Sequence, residues 1–389
     1  DSVCFYSAGE LRFVRRARGF APGPLTIKRN SQPILACGAL DKNTFCLMKD
    51  DCAFVSHHLG DLDNSLAFQY YREEIEKYKR LFRVNPMYVV KDLHPTYPSG
   101  LYSDEQTLPM LAVQHHHAHI ASVMAEYGLE EKVIGIAYDG TGLGSDGTIW
   151  GAEFLLADLK EFQRVGHLKY VPLPGGDVAV KNPLRSALGF IYPNIERFSE
   201  YIARLDSFEA GIILKQIEKR VNTPLASSMG RLFDAVASLI DLRDSVDYEG
   251  QAAMELEAII APRDDYYEYD IENESAGFRL NVDKLLAGTY CDYIAGVDKG
   301  IISAKFHNTI IQFTMDLAKK IRDIYRINLA VISGGCFQNR YLLDGVNREL
   351  QGEGFEVYIP SKIPINDGGI SLGQAAIASA YFSEKEKRG

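Results

Sequence analysis

Apolar and polar positions change period repeatedly along this 389-residue chain. From Ile34 the pattern reads strand, turn, strand: residues 34–40, a polar turn at 41–43, then 44–50, with a further short run at 52–58. Between residues 64 and 82, Leu66, Tyr70, Ile75, Tyr78 and Leu81 recur at helical spacing. Strands over 87–91 and 111–114 follow, and the second runs into a helix over a histidine cluster that Gly128 is placed to end. Val133 restarts the theme with a strand to Tyr138, a glycine-rich turn over 139–147 and a second strand over 148–157. Residues 177–325 read as mostly helical. Met229, Leu232, Phe233, Val236 and Ile240 form one core stripe behind caps Ser227 and Ser228, and Phe306, Ile310, Phe313, Leu317 and Ile321 another behind Ser303. The acidic, tyrosine-rich stretch 263–274 reads as a solvated loop. Strands return at 329–332 and 356–359, each followed by a glycine turn (333–339 and 365–369). The last helix carries small residues on one face and is expected to pack back on the first lobe.

Strands interleaved with helices predict an α/β fold. The hairpin starts near Ile34 and Val133 look like an old duplication, which predicts two lobes with ligand bound between them. A hydrophobic content of 46% is enough for cores of that size. The net charge of −10 offers no general footprint for nucleic acid. Six cysteines without a Cys-x-x-Cys pair point to reduced thiols and a cytoplasmic protein, and no apolar run is long enough to predict a membrane span. Arg12, Arg15, Arg16, Arg18, Lys28 and Arg29 make residues 1–29 the one basic segment. It reads as a linker or the last strand of a preceding domain, with a phosphate-touching arm as the sharper alternative.

His115 and His119 carry the first candidate chemistry. Four residues apart on a helix, their imidazoles share a face and can grip a divalent ion, which one or two carboxylates must complete. Asp139, at the end of its strand, and Asp367, in a second glycine turn expected on the opposite lobe, are the candidates; ordinary turn capping is the bland alternative. His116 and His117 point off that face, supporting the ligands or meeting solvent, and His57, His58, His94, His167 and His307 read as structural. The turns carrying Gly140, Thr141, Gly142 and Gly144, and Gly334, Gly335 and Asn339, suit the phosphates and nucleoside of one nucleotide. Asp177 is placed for ribose hydroxyls, with Lys181 and Arg185 near it for phosphate or carbonyl charge. Cys336 reads as packing. A metallopeptidase is disfavoured because no glutamate follows the first histidine.

The strings VQHHHAHIAS, YDGTGLGSDG, PGGD with NPLRSALG, SSMGRLFDAVASL, YEGQAAMELE, SGGCFQN and NDGGISLGQA, in this order, resemble the HypF family of hydrogenase-maturation carbamoyltransferases from about Arg12 to the end. The resemblance implies a two-lobed actin-like ATPase (sugar kinase, ASKHA) fold shared with the tRNA threonylcarbamoyltransferase TsaD. It implies residues 1–29 as the tail of a YrdC-like domain, and 30–130 with the C-terminal helix, about 370–389, as the first lobe. Residues 131–369 become the second lobe, with a helical insertion at about 177–325. The implied chemistry is ATP-dependent: a YrdC-like domain makes carbamoyl adenylate, and the part present here passes the carbamoyl to the C-terminal cysteine of HypE. It implies His115, His119, Asp139 and Asp367 as ligands of iron or zinc, and the 140–144 loop, Asp177, Gly334, Gly335 and Asn339 as contacts to ATP, AMP or the adenylate, with Mg2+ besides. Lys181 and Arg185 would steady the leaving phosphate. A small-molecule O-carbamoyltransferase, a TsaD-type tRNA-modifying enzyme and an inert docking module are the rival readings.

Overall fold

The computed structural model describes residues 1–388; the last residue of the helix expected at 370–389 lies outside them, as do the side chains of residues 29, 30, 384 and 386–388. An antiparallel hairpin, β1 (Val3–Ser7) and β2 (Glu10–Arg15), opens the chain. Two of the basic segment's arginines, Arg12 and Arg16, are built into the fold. Arg12 is buried and its Nη1 donates to the carbonyls of Ile359 (3.0 Å) and Pro360 (2.8 Å). Arg16 donates to Val55 (3.3 Å) and Gly23 (2.9 Å). Charge-assisted bonds to carbonyls are how a buried guanidinium is made tolerable, so these two cations serve the fold.

The first lobe is β3 (Leu25–Ala36), β4 (Cys46–Val55), α1 (Ser65–Phe82), β5 (Tyr88–Asp92), α2 (Pro98–Asp104), β6 (Met110–Val113) and α3 (His115–Tyr127). Its sheet runs β4-β3-β5-β6, with only β4 antiparallel. The strand begins earlier than expected: Leu25 already pairs with Ala53, so the lobe starts before residue 30. The runs at 44–50 and 52–58 are one strand, bent where Asp50 takes φ 54° at a register shift. Asn64 caps α1 by accepting from the amides of Leu66 and Ala67, worth about 1 kcal/mol. The buried face of α1 is Tyr71, Glu74, Ile75 and Tyr78, whereas Leu66, Tyr70 and Leu81 of the expected stripe are exposed.

The second lobe opens with β7 (Val133–Leu143), β8 (Ile149–Ala157), β9 (Phe162–Leu168) and β10 (Val171–Pro172). There follow α4 (Asp177–Val180), α5 (Pro183–Ile191), α6 (Ser199–Arg204), α7 (Ser207–Lys219), β11 (Leu225–Ser228), α8 (Met229–Leu239) and α9 (Gln251–Ala258). Then come β12 (Asp270–Glu274), β13 (Gly277–Asn281), α10 (Asp283–Ile294), α11 (Lys299–Tyr325), β14 (Leu329–Ser333), α12 (Arg340–Gly352), β15 (Glu356–Tyr358) and α13 (Ile370–Arg388). The sheet runs β12-β13-β9-β8-β7-β14-β15, with β10 and β11 attached beside β8. The order β8-β7-β14-β15, antiparallel then parallel twice, repeats β4-β3-β5-β6 strand for strand. The two lobes are one plan used twice, an α/β architecture of the two-lobed actin-like type.

Two expectations for the helical region need correcting. Residues 270–274 are an edge strand, and Tyr267 is anchored by its hydroxyl to Asp292 (2.8 Å) and Tyr269 to Asp316, so of the expected loop 263–274 only the run 263–266 is fully solvated. Ser303 lies inside α11, bonded to the Leu256 carbonyl, and Asp298 supplies the cap.

Both sheets are buried on both faces, the condition for parallel strands. In β3, Ile34 and Ala36 face the layer between the sheets, and Leu35 faces α1. In β7, Val133 and Ala137 face that same layer, while Ile134, Ile136 and Tyr138 face the core with α8 and α11. The middle layer is α3 and α13. They approach so closely that a Cβ on Gly373 would lie 1.9 Å from the Ala118 carbonyl oxygen. The last helix therefore does pack on the first lobe, and α3 is buried on every side from His115 to Ala125, with a sheet on either side of it. All six cysteines are free, and among the described residues no helix is long and apolar enough to cross a membrane.

Candidate metal and nucleotide site

The first turn of α3 opens directly behind β6, with Gln114 as its cap, and this sets His115 and His119 at the boundary between the lobes. Asp139 comes from β7 and Asp367 from the short turn before α13. The carboxylates thus share the second lobe, and the histidines supply the first lobe's half; the expectation that Asp367 faces Asp139 from the opposite lobe does not hold. The four donor atoms lie within 4.8 Å of one another. His115 Nε2 is 3.3 Å from Asp139 Oδ2 and 3.7 Å from Asp367 Oδ1, and His119 Nε2 is 3.0 and 3.6 Å from the same atoms. Four donors each about 2.0–2.2 Å from one ion stand about 3.3–3.6 Å apart in a tetrahedral site, so this set fits a divalent cation.

The surroundings aim these donors. His115 Nδ1–H donates to Asp92 Oδ2 (2.8 Å), which turns Nε2 toward the carboxylates, and Asp92 is itself held by the His94 amide (2.9 Å). Asp139 Oδ1 accepts from the amides of Gly140 (2.8 Å) and Gly335 (3.3 Å), leaving Oδ2 for the imidazoles. Gly334, at φ 111°, makes the second bond possible: a Cβ there would lie 2.2 Å from the Tyr138 carbonyl oxygen. Asn366 accepts from the Gly368 amide and donates to the Val14 carbonyl, fixing the turn that carries Asp367.

Charge follows this geometry. Burial alone disfavours imidazolium at His115, but Asp367 and Asp92 outweigh it and raise its pKa well above the usual value. His119 is raised too, its burial overcome by hydrogen bonds to Asp139 and Asp367. Asp139 and Asp367 are held below the usual carboxylate range despite burial, by the two imidazoles. Asp92→Asn is expected to weaken divalent-metal affinity about tenfold to hundredfold, because His115 loses the acceptor that sets its tautomer. Chelator competition measures this, and unchanged affinity would show that the Asp92 contact does not tune the site.

Beside the four donors opens a cleft of about 320 Å³, lined by Asp139, Gly140, Gly335, Cys336, Asn339 and Asp367 together with Lys42, Arg231, Asp234, Glu249 and Glu257. Of the residues expected at a nucleotide, Gly140, Gly335 and Asn339 line it. The others lie elsewhere. The run at 139–147 is not one open turn: β7 continues to Leu143, pairing Gly142 with Trp150, and the reversal falls at Gly144–Thr148. Gly142 packs on the His115 and His116 rings, Gly144 on the Trp150 indole, Gly334 on Tyr138, and Thr141 is exposed. Asp177 and Lys181 are exposed at the two ends of α4, and the Arg185 guanidinium is occupied by the Pro174 carbonyl (3.4 Å) and Gln216 (3.1 Å). None of these three lines the cleft, so the charge assigned to Lys181 and Arg185 is not delivered there.

His116 and His117 are buried, not solvent-facing, because the second sheet covers their side of α3. His117 Nε2 bonds the Asp158 carbonyl (2.6 Å), and His116, held neutral by burial and by the charge of His115, leaves Nε2 without a hydrogen-bond partner among the described residues. Sequence reasoning missed Asp92, Lys42, Arg231, Asp234 and Glu249. One signal was available: an arginine and an aspartate, Arg231 and Asp234, interrupt an otherwise apolar helix.

Comparison with known proteins follows the same lines. The profile of the HypF Kae1-like domain matches residues 29–126, and that of the carbamoyltransferase Kae1-like domain, second subdomain, matches residues 135–374. The chain is 39% identical to the carbamoyltransferase HypF of Synechocystis sp. over 395 residues, covering 96% of the chain and 51% of that protein. A carbamoyltransferase HypF homolog of Cupriavidus necator is 34% identical over 364 residues, covering 89% of the chain and 91% of the relative. A crystal structure of full-length HypF in the phosphate- and nucleotide-bound form superposes with TM-score 0.97 at 55% identity, over 98% of this chain and 51% of that one. Against the Synechocystis protein and the crystal structure, the chain spans about half the length of its match.

Proposed function

The chain belongs to the HypF carbamoyltransferase family, and from that premise we propose that it receives carbamoyl adenylate and transfers the carbamoyl group to the C-terminal cysteine of HypE in [NiFe]-hydrogenase maturation. The observation that carries this reading is the convergence of His115, His119, Asp139 and Asp367 at the wall of a cleft between two lobes. A divalent ion on those four side chains would supply Lewis-acid charge to carbonyl or phosphate oxygens. Two nitrogen donors suit iron or zinc better than Mg2+, which prefers oxygen ligands and would accompany the nucleotide phosphates.

In the transfer, the acceptor thiolate forms a C–S bond to the carbamoyl carbon. The C–O bond to the adenylate phosphate breaks, and AMP leaves with the electron pair. This chain's residues hold and shield that exchange. Asp92 keeps the His115 ring in register, the Gly140 and Gly335 amides hold Asp139, and the lobes limit access of water, which would hydrolyse the mixed anhydride. Cys336 lines the cleft, but burial, then the charge of Asp139, pushes its thiol well above the usual range, which disfavours it as the nucleophile. The acceptor would supply the nucleophile instead, and Cys336→Ser is expected to retain transfer within about threefold.

Single-turnover transfer from presynthesised carbamoyl adenylate to a peptide bearing the HypE C-terminus tests the function. Enzyme-dependent thiocarboxamide formation is expected. Loss of adenylate only at its uncatalysed hydrolysis rate, with metal bound, would sink the proposal in favour of a docking module. Carbamoyl phosphate with ATP and the chain alone should release no pyrophosphate, since the adenylate is expected to come from a YrdC-like domain.

A further inference from the structure

The described residues lining the cleft include five carboxylates, Asp139, Asp234, Glu249, Glu257 and Asp367, against two cations, Lys42 and Arg231. A nucleotide phosphate entering such a surface needs positive charge. Lys42 is already committed, its Nζ 2.5 Å from Glu249 Oε2 across the lobes. Arg231 is not. It is only 4% exposed, and its Nε and Nη1 have no hydrogen-bond partner among the described residues. Its one ion pair among the described residues is with Asp234, Nη2 to Oδ2 at 3.0 Å, and that Oδ2 has no hydrogen-bond partner there either. Burial outweighs Arg231 at that carboxyl and pushes Asp234 up to about 6, so the pair is poorly matched. Contrast Arg12 and Arg16, equally buried, whose N–H groups are spent on carbonyls.

A buried guanidinium with idle donors is costly and persists where something else completes it. Its place says what. Arg231 sits in the first turn of α8, whose cap Ser228 donates to the Gly140 carbonyl, next to Asp139, and its charge acts on Cys336 across the cleft. Arg231 lines the same cleft as Asp139, Gly140, Gly335 and Cys336.

We propose that Arg231 is the phosphate receiver of the cleft: its guanidinium turns from Asp234 to the phosphate oxygens of a nucleoside 5′-monophosphate or acyl adenylate, with Asp234 as the resting counter-ion that competes for it. This rests on the nucleotide reading above and supplies the cation that Lys181 and Arg185 do not.

Binding of AMP and of adenosine to the metal-loaded chain, measured by calorimetry, tests it. Arg231→Met should weaken AMP about tenfold to hundredfold while adenosine affinity and metal content stay unchanged. Arg231→Lys should recover part of the loss, and Asp234→Asn should tighten AMP severalfold by removing the competitor. Equal losses for AMP and adenosine in Arg231→Met, or no loss at all, would overturn the assignment and leave the nucleotide reading standing. Should that variant fail to fold, Asp234→Asn decides: AMP affinity no tighter than in the parent chain overturns the proposal. If the parent chain binds neither AMP nor adenosine, the nucleotide reading falls together with it.

Discussion

Replacing His115 or His119 with alanine will strip the metal and lower single-turnover carbamoyl transfer by about a hundredfold to a thousandfold or more, the scale expected when charge stabilisation at a developing oxyanion is lost. A divalent ion here would have two imidazoles and two carboxylates as its protein donors, and each histidine stands within 3.7 Å of both carboxylates. Losing either ring leaves three donors and an excess of buried negative charge. The fold should survive, at a lower melting temperature. Helix α3 is held along its length by Ile120, Val123 and Met124 in the layer it shares with α13, and neither histidine contributes to that apolar contact. Elemental analysis with near-UV circular dichroism separates the outcomes: stoichiometric metal in both folded variants would remove these histidines from the ligand set.

Metal affinity will rise steeply with pH, by up to about a hundredfold per unit where both rings are protonated in the metal-free site. The sign follows from the shifts. Against burial, Asp367, Asp92 and Asp139 raise the pKa values of His115 and His119, so an incoming ion must displace protons from both Nε2 atoms. Stability of the metal-free chain runs the other way. A raised imidazole pKa contributes stability that is complete below the unfolded value, about 6.5, and is lost as pH climbs through the folded values. The depressed Asp139 and Asp367 contribute above the unfolded carboxylate value, about 3.9, and lose it as pH falls through their folded values. The metal-free chain should therefore be most stable on the acid side of neutrality, while the stabilisation gained on adding metal grows toward alkaline pH. Thermal melts with and without metal, and proton release in buffers of different ionisation enthalpy, check both. Affinity flat between pH 6 and 8 would show that the imidazoles are already neutral before the ion arrives.

Much of this was legible in the chain as written. Local periodicity marked α1, α3, α8 and β14 close to their observed bounds, because each is defined by its own side-chain spacing. It went wrong where a neighbour decides the outcome. A run broken at Asp50 is one bent strand because β3 supplies partners on both sides of the bend. The residues at 270–274 become a strand because β13 pairs with them, and the expected face of α1 is turned because Tyr71 reaches the Cys37 carbonyl.

The candidate metal ligands divide the same way. His115 and His119 share a face through helical geometry alone, so their spacing is enough to nominate them, and the glycines after β7 and β14 mark the places where backbone comes close. Which carboxylates meet those rings is a matter of two sheets repeating one strand plan and enclosing α3 and α13 between them, with Asp139 and Asp367 brought together from positions far apart in the chain. Asp92 emerges only there as well, and so does the place of Arg231 in the cleft, although its interruption of an apolar helix is visible in the sequence. A side chain's charge state and idle hydrogen bonds depend on what surrounds it, and that is settled by packing across the fold, not by neighbours along the sequence.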